Sequence, residues 1–133
     1  MTSRIVIVED EDSIALALRV LLEREGLEVA RMADGAVAAA DMAGMAPDLV
    51  LLDAGLPGMG GFAVCETLRA GGAPDALPIV MMSAAGGPHA ADRACAAGAD
   101  AFLAKPFDAA DLLSLVRRLL KSGRPAKAGG SHA

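Results

Sequence analysis

Pro47-Asp48-Leu49-Val50-Leu51-Leu52-Asp53-Ala54-Gly55-Leu56-Pro57-Gly58-Met59-Gly60-Gly61 is the stretch that decides how the rest of the chain is read. Leu49 to Leu52 run without a polar break and stop at a carboxylate. So short and unbroken an aliphatic run reads as a strand buried on both faces, as in a parallel sheet. Asp53 then stands at the carboxyl end of that strand, the edge at which open α/β sheets bind ligands. The Gly-Leu-Pro-Gly turn after it sets the carboxylate at the lip of a loop. Alone, Asp53 is better read as a cap for the next helix. The other strand ends change that reading.

Working outward, Ile5-Val6-Ile7-Val8 is a second buried strand, and it runs into Glu9-Asp10-Glu11-Asp12-Ser13. A helix follows with Ile14, Leu18, Leu21 and Leu22 on one face, Asp12 as its N-cap and Gly26 as its stop. Leu27-Glu28-Val29-Ala30 is a more polar strand, suited to a sheet edge and without a site residue of its own. A second helix runs from Asp34-Gly35 to about Ala43, closed by Gly44. After the Asp53 strand, Phe62, Cys65 and Leu68 mark a third helix that Gly71-Gly72 stops. Leu77 to Met82 is a strand ending at Ser83, and a loop of small residues leads to an Ala-rich helix from about His89 to Ala97. Ala101-Phe102-Leu103-Ala104 is the last strand and ends at Lys105-Pro106. Asp108 caps the last helix, with Asp111 placed as in a capping box and Leu112, Leu115, Val116 and Leu119 as its buried stripe. Strand followed by helix, five times over, predicts a parallel sheet with right-handed crossovers and helices on both faces. Residues 1–121 form the expected domain, and the Gly/Ala/Lys/Ser-rich stretch 122–133 a disordered tail.

Bulk properties narrow the function classes. A chain of 133 residues is one domain with room for a proper core. Aromatics are 2% with no Trp or Tyr, which argues against base stacking, aromatic cages and a flavin sandwich. The net charge of -5 carries no dominant basic patch, so no direct nucleic-acid binding is expected. Arg117, Arg118, Lys121, Arg124 and Lys127 read as a solvated basic helix end. Cys65 and Cys95 have no metal-type spacing and are expected as buried or half-buried thiols of a reducing compartment. With no membrane-spanning run and no leader-like start, a cytoplasmic protein is expected.

Four of the five strands end in Glu9-Asp10, Asp53, Ser83 and Lys105. Three carboxylates and one amine at one edge suit a hard divalent cation such as Mg²⁺. A phosphoryl group would balance the remaining charge, with the lysine and the hydroxyl on its oxygens. A carboxylate is a competent nucleophile for its transfer. An aspartate-dependent phosphatase usually wants a second acid two residues after the nucleophile, where this chain has Gly55. A flavodoxin-like cofactor binder would need a hydroxyl-rich phosphate loop and flanking aromatics, and neither is visible.

From about Arg4 to Lys121 the chain resembles the receiver domain of bacterial two-component response regulators. The resemblance is carried by Ile5-Val6-Ile7-Val8-Glu9-Asp10-Glu11, by Leu52-Asp53 with Leu56-Pro57-Gly58-Met59 and Gly61, by Met82-Ser83-Ala84, and by Gly98-Ala99-Asp100-Ala101-Phe102 with Lys105-Pro106-Phe107. It implies a flavodoxin-like, doubly wound (βα)5 fold with strand order 2-1-3-4-5. It implies Asp53 as phosphoacceptor, and Mg²⁺ held by Asp10, by Glu9 directly or through water, by Asp53 and by the Gly55 carbonyl. Lys105 would pair with the phosphoryl group and the carboxylate across a cis Lys105-Pro106 bond. Ser83 would move to a phosphoryl oxygen, and Phe102 would turn inward with it. The implied partners are a sensor histidine kinase or phosphotransfer protein, and an unknown output partner reached through the fourth helix, fifth strand and fifth helix. No turnover beyond self-phosphorylation and autodephosphorylation is implied.

The chain departs from the common pattern at Gly60, often Asp, at Ser83, often Thr, and at Phe102, often Tyr. Ala101 stands where many DNA-binding relatives carry a second Asp, and the helix before it is mostly Ala, so a monomer or weak dimer is expected. The domain reads as a stand-alone regulator or as a piece of a longer one. The alternative reading is a degenerate receiver that binds its partner without phosphorylation.

Overall fold

A computed structural model describes residues 2–84 and 88–124. The expected tail falls mostly outside them. Ser122, however, still belongs to the last helix, and Arg124 is tied to the domain by its side chain. His132 and Lys127 lie outside the described residues, as does Ala85.

Five strands, β1 Arg4–Val8, β2 Glu28–Met32, β3 Leu49–Asp53, β4 Ile79–Ser83 and β5 Ala101–Ala104, pair in parallel in the order β2-β1-β3-β4-β5. Between them lie α1 Asp12–Glu23, α2 Gly35–Met45, α3 Gly61–Thr67 and α4 Pro88–Ala97, and α5 Ala109–Ser122 follows β5. This is the flavodoxin-like, doubly wound architecture.

The central strands are buried on both faces, and their side chains alternate between two cores. Val6, Val8, Val50, Leu52, Ile79 and Met81 pack with Ala38, Met42, Val64, Cys65, Leu68 and Ala94 under α2, α3 and α4. Ile5, Ile7, Leu49, Leu51, Val80 and Met82 pack with Leu18, Leu22, Leu112, Val116 and Leu119 under α1 and α5. Each fully buried aliphatic side chain stabilises the fold by about 1.5–3 kcal/mol. This two-sided core fixes the register of β1, β3 and β4, and the register fixes which residue emerges at the strand ends.

Local details differ from the sequence reading for identifiable reasons. The cap position of α1 is Glu11, in extended backbone and with no side-chain bond to the helix. Asp12 is the first helical residue, and its carboxylate is drawn to Arg31 instead. Gly44 does not close α2; the helix continues to Met45 and is terminated by Ala46 in left-handed backbone at φ 49°. After Thr67 the chain widens into a π-type turn, Leu68–Gly72, broken at Gly71 with φ 127°. Leu115 and Phe62 are half-buried rather than core, and Cys95 is exposed whereas Cys65 is buried. Asp108 caps α5 as read, its Oδ1 accepting the Ala110 N–H at 2.8 Å.

Gly61 is where the fold touches the site. A Cβ there would lie 2.2 Å from the Asp53 carbonyl oxygen and 2.7 Å from the Ala54 Cα. Only glycine lets α3 start against the backbone that presents Asp53.

Candidate functional site

The strand ends deliver their residues by extending the ladder one position past the regular sheet. The Glu9 N–H donates to the Met32 carbonyl at 3.0 Å, the Ala54 N–H to Met82 at 2.7 Å, and the Lys105 N–H to Ser83 at 2.8 Å. Asp53 lies opposite Met82, and Ser83 opposite Ala104. The Lys105-Pro106 peptide is cis, as the resemblance implied.

These extensions bring together residues that are far apart in sequence. Lys105 Nζ lies 2.6 Å from Glu9 Oε1 and 2.9 Å from Asp53 Oδ1. Glu9 is 0% exposed, and its Oε2 also accepts the Glu11 N–H at 3.2 Å. Asp10 is exposed beside it. Glu9, Asp10 and Asp53 each offer a carboxylate oxygen, and these atoms lie within 4.8 Å of one another. Asp53 and Ser83 are buried, and Gly55 is exposed at the mouth. A Cβ at Gly55 would stand 3.6 Å from Asp53 Oδ2, so nothing at that position crowds the oxygen that Lys105 does not hold.

Burial pushes the Glu9 carboxyl above its usual range; the hydrogen bonds from Lys105 and Glu11 oppose this, and the charge of Asp53 adds to it. Burial by itself pulls the Lys105 ammonium down. The hydrogen bonds to Glu9 and Asp53, with the charge of both carboxylates, outweigh it and hold the group above its ordinary value. Three carboxylates against one lysine leave the pocket with excess negative charge. That donor set, all oxygen and under-neutralised, fits Mg²⁺.

Phe102 is half-buried between β5 and α4, packed against the α2–α3–α4 core and lining a small cleft with Ala91, Ala94 and Cys95. An apolar groove of about 430 Å³ adjoins the site, bounded by Ile14, Ala17, Leu18 and Leu21 of α1 and by Lys105, Pro106 and Phe107.

Sequence reading missed Arg31. The polar edge strand does contribute: Arg31 Nε donates to the Glu9 carbonyl at 2.8 Å, and Nη1 lies 2.9 Å from Asp12 Oδ1. Its Nη2 is buried with no hydrogen-bond partner among the described residues. No motif marks it; a lone arginine in a polar strand looks like any solvated edge residue. Also missed was Arg69, which meets Asp100 at the opposite end of the sheet.

Comparison with known proteins agrees with this geometry. Residues 5–117 match the model of the response regulator receiver domain. The chain is 37% identical over 125 residues to the phosphate regulon transcriptional regulatory protein PhoB of Rhizobium meliloti, covering 94% of this chain and 55% of that one. It therefore spans about half the length of the curated relatives it matches. Among solved structures, a putative response regulator from Chloroflexus aurantiacus superposes with a TM-score of 0.86 at 34% identity, over 91% of this chain and 99% of that one. The chemotaxis protein CheY4 of Vibrio cholerae gives a TM-score of 0.81 at 29% identity, over 89% and 98%. With residues 5–117 matched and the acidic strand ends meeting at one lysine, the protein belongs to the receiver domain family of two-component response regulators.

Proposed function

We propose that this domain is a phosphorylation-activated switch that accepts one phosphoryl group on Asp53, from a histidine kinase, a phosphotransfer protein or a small phosphodonor. The observation that carries the reading is the single ammonium of Lys105 placed between Glu9 Oε1 and Asp53 Oδ1. With Lys105 on Oδ1, the second oxygen, Oδ2, is the one presented toward phosphorus. A P–O bond forms on Asp53 as the donor's P–N or P–O bond breaks, and the bonding pair leaves with the donor. Glu9, Asp10, Asp53 and the Gly55 carbonyl would hold Mg²⁺, whose charge would offset that of the phosphoryl oxygens during transfer. Lys105 would then take a phosphoryl oxygen, and Ser83, one residue beyond the register partner of Asp53, would take another.

Moving a two-state domain from mostly off to mostly on needs about 5.5 kcal/mol of differential binding. Charged hydrogen bonds contribute roughly 1.5–3 kcal/mol each, so Ser83 and Lys105 together supply most of it. The responding surface is α4-β5-α5, with Phe102 following Ser83, and its target is an output domain or a separate protein in the cytoplasm. The domain turns over no external substrate and contacts neither nucleic acid nor membrane itself. No helix among the described residues is long and apolar enough to cross a membrane.

Intact-protein mass spectrometry after treatment with acetyl phosphate and Mg²⁺ tests the reading. One added phosphoryl group on the wild type and none on Asp53→Ala is expected. No adduct with Mg²⁺ present, or an adduct that survives Asp53→Ala, would favour the phosphorylation-independent alternative.

A further inference from the structure

We propose that Arg31 is a positioning residue that sets the Mg²⁺ affinity of the acidic pocket by fixing the chain on both sides of Asp10. The proposal rests on the phosphoryl-switch reading of that pocket. Arg31 is itself rigidly placed, because its backbone sits in the β1–β2 ladder opposite Ile7. From there one guanidinium reaches the Glu9 carbonyl through Nε and the Asp12 carboxylate through Nη1. Asp10 is exposed and lies between those two anchor points, ahead of the helix that begins at Asp12.

β2 thus holds both backbone polar groups of Glu9: Met32 accepts its N–H, and Arg31 donates to its carbonyl. The carboxylate of Glu9 is held in turn by Lys105 and by the Glu11 N–H. Asp10 stands between those holds and the start of α1, and the second arm of the guanidinium bridges it to Asp12. Loss of a partner that orients a metal ligand without touching the metal typically weakens metal affinity by about 10–100-fold. Lysine cannot replace the planar fork, since its single nitrogen cannot hold two divergent acceptors with the same geometry.

Charge and positioning predict opposite signs, which makes the role separable. A cation beside an acidic pocket repels Mg²⁺, so as a bare charge Arg31 would weaken binding. As a bridge it strengthens binding by holding Asp10 in place. The Asp12 end of the bridge is 92% exposed and the Arg31 side chain 24% exposed, so the fold itself depends little on the pair.

The test is a calorimetric Mg²⁺ titration of the full chain as wild type, Arg31→Lys and Arg31→Gln, with amide exchange at Glu11 measured in metal-free protein. Arg31→Lys, which keeps the charge and loses the fork, weakens Mg²⁺ binding by roughly tenfold. Arg31→Gln weakens it less, because loss of the positive charge offsets part of the effect. Exchange at the Glu11 amide quickens in Arg31→Lys, and also in Asp12→Ala, which releases only the exposed arm. A wild-type Kd for Arg31→Lys, or tighter binding by Arg31→Gln with Arg31→Lys unchanged, overturns the proposal. So does a wild-type Glu11 exchange rate in Asp12→Ala, which serves even should Arg31→Lys fold poorly. A wild type with no saturable Mg²⁺ binding instead overturns the pocket reading itself, and the proposal with it.

Discussion

The two ends of the sheet each bury an ion cluster, and they resolve their charge in opposite ways. At the amino end of β4 and β5, Asp100 is 5% exposed on its side chain and is held by Arg69 Nη2 and Arg124 Nε, each at 2.7 Å, and by the Ile79 N–H at 2.9 Å. Arg69 also donates to the carbonyls of Gly98 at 2.8 Å and Leu77 at 2.7 Å. At the carboxyl end, Glu9 and Asp53 share one lysine, with Asp10 beside them. One end has donors enough for its acid; the other has acids enough for a further cation. The first is a structural clamp joining the turn after α3, the α4–β5 turn and the residues after α5, whereas the second is a pocket that can gain from what it binds.

The largest test of this contrast is deletion of an acid at each end. Asp100→Ala leaves two arginines without their shared partner and should cost about 3–5 kcal/mol by denaturant unfolding. Asp53→Ala in metal-free protein should change stability by less than about 1 kcal/mol, since Lys105 keeps Glu9 and one repulsion is removed. Equal losses at the two ends would erase the distinction. Next in size is the response to metal. Mg²⁺ at about a hundred times its Kd should stabilise the wild type by about 2.7 kcal/mol and leave Asp53→Ala nearly unmoved. An unchanged thermal midpoint for the wild type at saturating Mg²⁺ would mean that the acidic end, too, is complete by itself.

The smallest effect is the most diagnostic. Because Glu9 is raised above 4.5 in the folded state, it favours folding when protonated. That contribution is fully present below the unfolded value and is lost as pH rises through the raised folded one. Glu9→Gln lacks it, so wild-type stability should fall relative to the variant across this window by a few degrees in midpoint, and Mg²⁺ at neutral pH should cancel the difference. Lys105 is raised too, but in a higher range: its contribution is fully present below 10.5 and is lost as pH rises through the raised folded value. A wild-type-minus-variant difference that is flat in pH would show that Glu9 is fully compensated by Lys105.

Much of the fold was legible because burial on both faces leaves a plain mark. Ile5 to Val8, Leu49 to Leu52 and Ile79 to Met82 have no polar residue to expose, and all three are central strands. The candidate site was legible at the points where those runs stop, at Glu9, Asp53 and Ser83, and at Lys105 after β5. What was not legible rests on contacts between distant residues. Asp12 looked like a cap by its type and position, yet its carboxylate faces Arg31, 19 positions further along the chain, rather than its own helix. Asp100 was read only as part of a motif, and its two arginines come from the turn after α3 and from beyond α5.

The order of elements, the two-faced central strands and the residues at their carboxyl ends were determined by sequence alone, since hydrophobic pattern and turn residues act over a few neighbouring positions. Which charges share a partner was decided only in three dimensions: Lys105 between Glu9 and Asp53, Arg31 across Asp10, and two arginines on Asp100. The physical reason is range. Apolar burial is non-directional and can be read from local pattern, whereas an ion pair or a metal pocket exists only once separate strands and loops have set their atoms a few ångströms apart.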